Sequence, residues 1–384
     1  MSLGTAFLLA GAITGALDLS DRSELRLRDS GDAAGRVVDF ETAPVATLGL
    51  HSRSFRVSLA YLPRFTLRQL DAVPSPEAFH RGALSVSLRR RRVELVVDGD
   101  VSRGTTITTA LFGVRSLDPA HLSVQRLPIT PTVDYLSSRA GVTATFAVTR
   151  RWAIRALAEH ALSGGADAAS REVIPFQYGP RGALRATCSL SRHDSLTSTL
   201  DLSRTVFDTG PDNVVGEASE AFRHVFDRRS EMTLGAGVSV VAARASAGDP
   251  WITRPYALAE GTLRVSAPAA RLDTTLSLRL APVVDRLSGI VDERLQGTAA
   301  IAWSFTPSLA LRTQFGAAQS VQWSQAGAVT VLMGEAAFSA RATRAVGVEL
   351  GTRVATQVSR GVDALPTQWM MFTGATFVLP SLRF

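Results

Sequence analysis

The side chains that could act as nucleophiles, bases or metal ligands are few and scattered. The 384 residues include one cysteine and six histidines. The histidines are His51, His80, His121, His160, His193 and His224. Their spacing does not bring a nucleophile, a base and an orienting carboxylate together. There is also no histidine pair or Asp-rich loop at ligand spacing, and no glycine-rich loop with the lysine of a nucleotide site. The sequence therefore predicts no enzyme, no cofactor and no metal.

Charged residues are the other group that could do chemistry, and here the pattern is more regular. The chain contains no lysine, so all 41 basic residues are arginine, against 34 acidic residues. A sequence pI near 10.7 would suggest nucleic-acid binding in a soluble protein. However, the arginines occur singly, and the one run, Arg89 to Arg92, fits a turn between two strands. Nucleic acid is therefore not an expected partner.

These charged residues alternate with apolar ones. Stretches in which apolar residues occupy every second position are 55–61, 93–98, 142–148, 184–190 and 272–280. In the last of them Leu276, Leu278 and Leu280 alternate with polar or charged residues. A period of two is typical of strands with one apolar and one polar face, and no comparable stretch keeps a helical period.

Short and long connections take turns between these strands. The short polar connections are 51–54, 89–92, 149–152, 191–195, 227–230, 268–271, 306–308 and 342–345. Longer segments rich in Gly, Pro and Asp lie between them, among them 71–80, 104–130, 163–181 and 247–254. Eight short turns separate nine long hairpins, which predicts about 18 strands, with 16 as the alternative.

The final strand carries the pattern that relates the chain to a known class of protein. Val378, Pro380, Leu382 and Phe384 recur at period two, and Gly374 lies upstream. These residues resemble the terminal strand of bacterial outer-membrane β-barrel proteins. The resemblance implies that Gly374, Val378, Leu382 and Phe384 form the signal recognised by the barrel-assembly machinery. Pro380 departs from the pattern because it removes one ladder donor.

Together these observations predict an all-β fold, a transmembrane antiparallel up-and-down β-barrel in the bacterial outer membrane, with short periplasmic turns and longer extracellular loops. Residues 1–16 have the short apolar centre and small residues of a secretory signal, although they lack a basic start. They are predicted to be a signal peptide or its remnant. Residues 17–384 would then form a single barrel domain.

The apolar faces are expected to contact outer-membrane lipid. Cys188 shares such a face with Leu184 and Leu190, so it is interpreted as a small apolar residue rather than a reactive thiol. Aromatic residues near short turns and near long loops are interpreted as two interfacial belts. They are Trp152, Phe226 and Trp303 at one end and Trp251, Tyr256, Trp323 and Trp369 at the other.

The residues that alternate with the apolar ones should face the lumen. The charged members of this set are Arg56, Glu94, Asp98, Arg155, Glu159, Arg185, Asp201, Glu260, Arg264, Asp273, Arg279, Arg312, Glu349 and Arg353. A wall with both signs of charge is the usual lining of a water-filled channel. We expect such a lumen to favour anions modestly.

One long connection, residues 104–130, is unusually apolar for a loop in water. It is predicted either to fold inward as a constriction or to cap the barrel, unless the strands extend further outward. The candidate constriction residues are Leu111, Phe112, Arg115, Asp118 and His121.

Three functions remain compatible with such a barrel. The first is a porin-like channel that passes small hydrophilic or weakly anionic solutes by diffusion, since a barrel of this size leaves an aqueous pore. The second is a barrel for export of polysaccharide across the outer membrane. The third is a closed structural or adhesion barrel. The sequence leaves the cargo, its direction and the oligomeric state open.

Overall fold

Strand is the dominant secondary structure of the chain. The computed structural model describes residues 14–29, 36–70, 73–107, 132–208, 210–246, 248–285, 289–321, 329–359 and 367–384. The first strand segments are β1 (Thr14–Asp29), β2 (Arg36–Thr42), β3 (Val45–His51), β4 (Phe55–Tyr61), β5 (Arg64–Leu70), β6 (Val73–Arg90), β7 (Val93–Ile107), β8 (Thr132–Ala147), β9 (Trp152–Gly165) and β10 (Gln177–Ser189). The remaining segments are β11 (Asp194–Phe207), β12 (Asp212–Val225), β13 (Ser230–Arg244), β14 (Ile252–Ala267), β15 (Leu272–Val284), β16 (Val291–Thr306), β17 (Leu309–Ser320), β18 (Val329–Arg341), β19 (Val346–Ser359), β20 (Gln368–Val378) and β21 (Leu382–Arg383).

Three strands of the barrel are each interrupted once. The upper half of β1 pairs with β2 and its lower half with β3, so β2 and β3 are two parts of one strand. The pairs β4 with β5 and β20 with β21 are divided in the same way. Each break contains a proline, namely Pro44, Pro63 or Pro380, because proline has no N–H for the ladder. The 21 segments of the described ranges therefore make 18 antiparallel strands, which confirms the predicted architecture.

The first and last strands close the sheet. β1 pairs along its length with β20 and at its lower end with β21. The closure reaches the last residue, since the Gly15 N–H donates to the Phe384 carbonyl at 2.7 Å and the Phe384 N–H donates back at 3.0 Å. Closure satisfies backbone groups that an open edge would leave unpaired in a membrane.

The short turns all lie at the end of the barrel that holds both Thr14 and Phe384. Five of these turns begin with a side-chain oxygen that accepts the backbone N–H groups two and three residues later, as Ser, Thr and Asp do in tight turns. The five residues are Thr149, Ser191, Asp227, Thr306 and Thr343. At Asp227 the Ser230 hydroxyl and nearby backbone N–H groups also hold the carboxyl pKa below its ordinary value.

The two faces of the sheet differ as the sequence predicted. Large apolar side chains on one face are exposed, including Leu200 at 57%, Val238 at 59% and Leu278 at 55%. A water-soluble protein would cover so extensive an apolar surface, and a membrane protein presents it to lipid. The exposed Trp152, at 48%, lies at the short-turn rim of this outer face. Tyr256 faces the lumen, because its neighbour Ala257 pairs with the exposed Val238, so its predicted place in an interfacial belt is wrong. Trp323 lies outside the described residues.

A short helix lies on the opposite rim. This helix, α1 (Ala168–Val173), is capped by Asp167, whose carboxylate accepts the Ser170 N–H at 2.7 Å. Ile174, which follows the helix, packs against Val133. Within the described residues, no helix is long and apolar enough to cross a membrane.

The start of the barrel differs slightly from the predicted domain boundary. Strand β1 begins at Thr14, so three residues of the predicted segment 1–16 belong to the barrel. Residues 1–13 lie outside the described part of the chain, and the signal-peptide assignment stays a prediction. The candidate constriction residues Leu111, Phe112, Arg115, Asp118 and His121 also lie outside it.

Candidate functional site: the charged lumen wall

The inner face of the barrel is the candidate site. All fourteen charged residues proposed from the sequence occupy strand positions that alternate with the exposed apolar ones, and so lie on the inner face. On β7, for example, Glu94 and Asp98 alternate with the exposed Val93 and Val97. On β15, Asp273 and Arg279 alternate in the same way with the exposed Leu276 and Leu278.

One arginine joins three carboxylates on this wall. The Arg139 guanidinium lies 3.2 Å from Asp98, 3.3 Å from Asp100 and 3.2 Å from Glu159. Asp98 and Glu159 are separated by 61 positions in sequence, and pairing of β7, β8 and β9 brings them to one place. Arg139 and Asp100 were missed by the sequence reading, although both lie at alternating positions that could have identified them.

Other predicted residues form pairs around the wall. Asp201 accepts hydrogen bonds from Arg181, the shortest at 2.6 Å. Arg279 reaches Glu217 at 3.8 Å although their strands, β15 and β12, are not neighbours. Two further predicted residues are also paired: Arg353 with Glu335, and Glu349 with Arg22.

A third group, also missed, lies on β1, β2 and β5 and is almost fully buried. Arg26 pairs with Glu24 and Glu41, and Arg68 pairs with Asp39 at 3.1 Å. These five residues are only 2–6% exposed. Buried charges persist only when they are paired, so this cluster is a fixed, ion-paired part of the wall. The members of this cluster alternate with exposed apolar residues, and this pattern could have identified them from the sequence.

In the open part of the wall, arginines are more exposed than their partners. The side chains of Arg81, Arg181 and Arg279 are 51%, 51% and 53% exposed. Their partners Asp100, Asp201 and Glu217 are 16%, 13% and 24% exposed. Long arginine side chains extend into water while the shorter carboxylates stay against the wall. In these three pairs the group that a solute meets first is therefore the guanidinium.

The remaining predicted residues make no ion pair with any residue of the described chain. They are Arg56, Glu94, Arg155, Arg185, Glu260, Arg264, Asp273 and Arg312. Most lie nearer the short turns than the loops, where the lumen opens to the periplasm.

A Ser–Asp–His chain near one turn is the nearest approach to a catalytic arrangement. Asp194 accepts from the Ser191 hydroxyl at 2.6 Å and contacts the His224 Nδ1 at 2.7 Å. The aspartate stands between the other two groups, so the histidine does not activate the serine, as a nucleophile requires. The described residues also contain no group of three or more potential metal ligands.

The terminal-strand residues do not share one face, contrary to the sequence expectation. Val378 pairs with Ser20, but Leu382 pairs with Leu17, so the register slips by one residue between them. A slip of one residue moves side chains to the opposite face. Gly374 and Val378 therefore lie on the inner face, and Leu382 and Phe384 on the outer. Pro380 lies within the break that causes the slip.

Comparison with known proteins relates this charged barrel to one protein family and to several solved structures. A model of the EpsX exopolysaccharide export family matches residues 12–378. The chain belongs to this family. No curated protein matches it. The EpsX-family barrel is similar in fold to the outer membrane protein OpdK from Pseudomonas aeruginosa, with 11% identity, coverage of 96% of this chain and 99% of that one, and a TM-score of 0.50.

Two further solved structures are similar to this chain in fold. OccAB2 from Acinetobacter baumannii has 8% identity, coverage of 96% and 98%, and a TM-score of 0.53. OpdO from Pseudomonas aeruginosa has 10% identity, coverage of 95% and 98%, and a TM-score of 0.51. At such identities the likeness concerns the fold. This EpsX-family protein therefore has the β-barrel fold of outer-membrane porins, as predicted.

Proposed function

We propose that this barrel is an outer-membrane channel through which an exopolysaccharide chain passes. The observation that carries the proposal is the inner wall, in which exposed guanidinium groups and hydroxyl groups face the lumen of a closed 18-strand barrel. A barrel of this size leaves room for an aqueous pore. Membership of an exopolysaccharide export family supports glycan as the cargo.

The polar groups of the wall suit a hydrated, hydroxyl-rich chain. Serine and threonine side chains occupy many inner positions between the arginines, such as Ser203 and Thr199 on β11. They replace hydrogen bonds that a sugar gives up when it leaves bulk water. Aromatic side chains on the inner face of the described strands are few, for example Phe79 and Tyr256. The glycan would therefore contact the inner wall through hydrogen bonds and charge rather than through aromatic stacking, and such contacts let the glycan slide along the lumen.

A second candidate is diffusion of small hydrophilic or weakly anionic solutes. The porin-type fold favours it, because the same wide, charged lumen admits such solutes without a dedicated cargo. The two functions differ in the length of the molecule that passes. The apolar segment 104–130 is proposed as the constriction that sets this limit.

Cysteine modification inside and outside the lumen tests the channel. Starting from Cys188→Ala, Ser203→Cys places a thiol on the inner wall, and Leu202→Cys places one on the outer face, where Leu202 is 60% exposed. Each variant is treated with a charged, membrane-impermeant thiol reagent in a planar bilayer. We expect modification at 203 to lower single-channel conductance and to hinder blockade by added oligosaccharide. Position 202 is the matched control and should not respond.

The outcomes separate the candidates. Conductance that oligosaccharides interrupt supports glycan passage. Conductance of small ions and solutes that ignores oligosaccharides of every length favours the diffusion channel. No conductance from any form would overturn both and favour a closed structural barrel.

A further inference from the structure

Two arginines of the inner wall face each other without a carboxylate. Arg155 on β9 and Arg185 on β10 are direct partners in the antiparallel register. Both lie on the inner face, and both are exposed. Within the described chain neither makes an ion pair, whereas the nearby Arg139 and Arg181 are fully paired. Like charges directly opposite each other destabilise a sheet, so the arrangement needs another reason.

Hydroxyl groups flank the arginine pair on both sides. Thr145 pairs with Arg155, and Thr199 pairs with Arg185, so the row across the wall is hydroxyl, guanidinium, guanidinium, hydroxyl. Ser219 extends it by one more hydroxyl beyond Thr199, and the Glu94 carboxylate follows Thr145 at the other end. Such a row offers several hydrogen-bond donors and a double positive charge.

The pair lies in the periplasmic half of the lumen. Arg155 is three positions above Trp152, where β9 begins, and Arg185 is four positions before the end of β10. Both strand ends adjoin short turns. A molecule that enters from the periplasm meets this row early.

We infer that Arg155, Arg185 and the flanking threonines form a subsite for an oxyanion carried by a glycan, such as the carboxylate of an acidic sugar. The inference rests on the proposed function and specifies the cargo as an acidic polysaccharide. Two guanidinium groups bind a carboxylate through paired, charge-assisted hydrogen bonds. The bound oxyanion removes the repulsion between the arginines, and the hydroxyl groups complete its shell.

The test compares two double variants with the same change in charge. Arg155→Gln with Arg185→Gln removes the subsite. Arg56→Gln with Arg312→Gln removes two exposed, unpaired inner arginines that lie on separate strands, β4 and β17. Blockade of single-channel current is measured with oligogalacturonate, with the neutral maltohexaose and with inorganic phosphate. We expect the subsite variant to weaken oligogalacturonate blockade about 10-fold or more, and the control about 2-fold.

The salt dependence of blockade and the stability of the variants are two further measurements. If the two arginines had only a structural role, neither would change as described here. Raising KCl to about 1 M shortens the Debye length to about 3 Å, so the effect of the control should fade while that of the subsite variant persists. The single change Arg155→Gln should raise the urea midpoint of unfolding, because it removes a like-charge pair.

Equal weakening by both double variants would overturn the subsite, as would equal blockade by acidic and neutral sugars. Competition by phosphate without any response to oligogalacturonate would also overturn it, since the site would then bind a free ion only. A wild-type channel blocked by maltohexaose but not by oligogalacturonate would refute the subsite and leave the proposed function standing. A barrel that never conducts would refute the proposed function itself.

Discussion

Replacing Leu278 by arginine tests which face of the sheet meets lipid. Leu278 is 55% exposed on the outer face of β15, between Gly261 and Gly297 of the neighbouring strands. It lies six positions above Leu272, the first residue after a short turn. At about 3.4 Å per residue and a tilt of about 40°, this places Leu278 about 15 Å above that end of the barrel. An apolar band about 25 Å tall then has Leu278 near its middle.

An arginine at this depth should lower the free energy of unfolding by about 2–4 kcal/mol, whereas Leu272→Arg, near the interface, should cost about 0–1 kcal/mol. Ser277→Arg is the matched control, because Ser277 is adjacent and faces the lumen, where its hydroxyl hydrogen-bonds Thr298. Its cost should be about 0.5–1.5 kcal/mol, the loss of one neutral hydrogen bond.

The measurement is reversible urea unfolding from liposomes, followed by tryptophan fluorescence. The order of cost should be Leu278→Arg, then Ser277→Arg, with Leu272→Arg at or below the second. Equal costs at positions 277 and 278 would show that the face assignment is mistaken, and with it the placement of every lumen residue.

Three further changes test other parts of the barrel. Glu220 is exposed and lies on the outer face between Ser198 and Ala236, so Glu220→Leu should stabilise the barrel in liposomes by about 1–2 kcal/mol; a loss of stability would point to a partner for the carboxylate. Arg26→Met should destabilise by up to about 3–5 kcal/mol in the same titration, because Glu24 and Glu41 would lose the buried guanidinium that they share and keep only the more exposed Arg22 and Arg64. Deletion of residues 110–126 should raise conductance while the barrel still assembles, and unchanged conductance would place that segment outside the pore.

Strand number and face assignment could be predicted from the sequence because both depend on local patterns. A side chain on a strand points to one face or the other according to its position alone, so alternation near Leu278 or Val97 identifies the inner and outer residues. The turns could be predicted for a similar reason, since Thr149 and Asp227 hydrogen-bond backbone groups only two or three residues away.

The pairing of charges could not be predicted in this way. Arg139 meets Asp98 and Glu159 because of the register of three strands, and register is a property of the assembled sheet. Arg279 and Glu217 meet across two intervening strands. Gly235 on β13 lies in the same row as Glu260 and Arg279, and a Cβ there would come within 2.7 Å of the Glu260 side chain, so the glycine leaves room for that side chain.

The sequence by itself determined that this chain is an antiparallel β-barrel of 16 to 18 strands with a charged lumen, because alternation and turn chemistry act over a few residues. The structure fixed the number at 18. Only the tertiary structure decided that Arg155 lies opposite Arg185, and that Leu382 and Phe384 are on the other face from Val378. Both results depend on strand register, which is fixed when distant strands pair and the barrel closes.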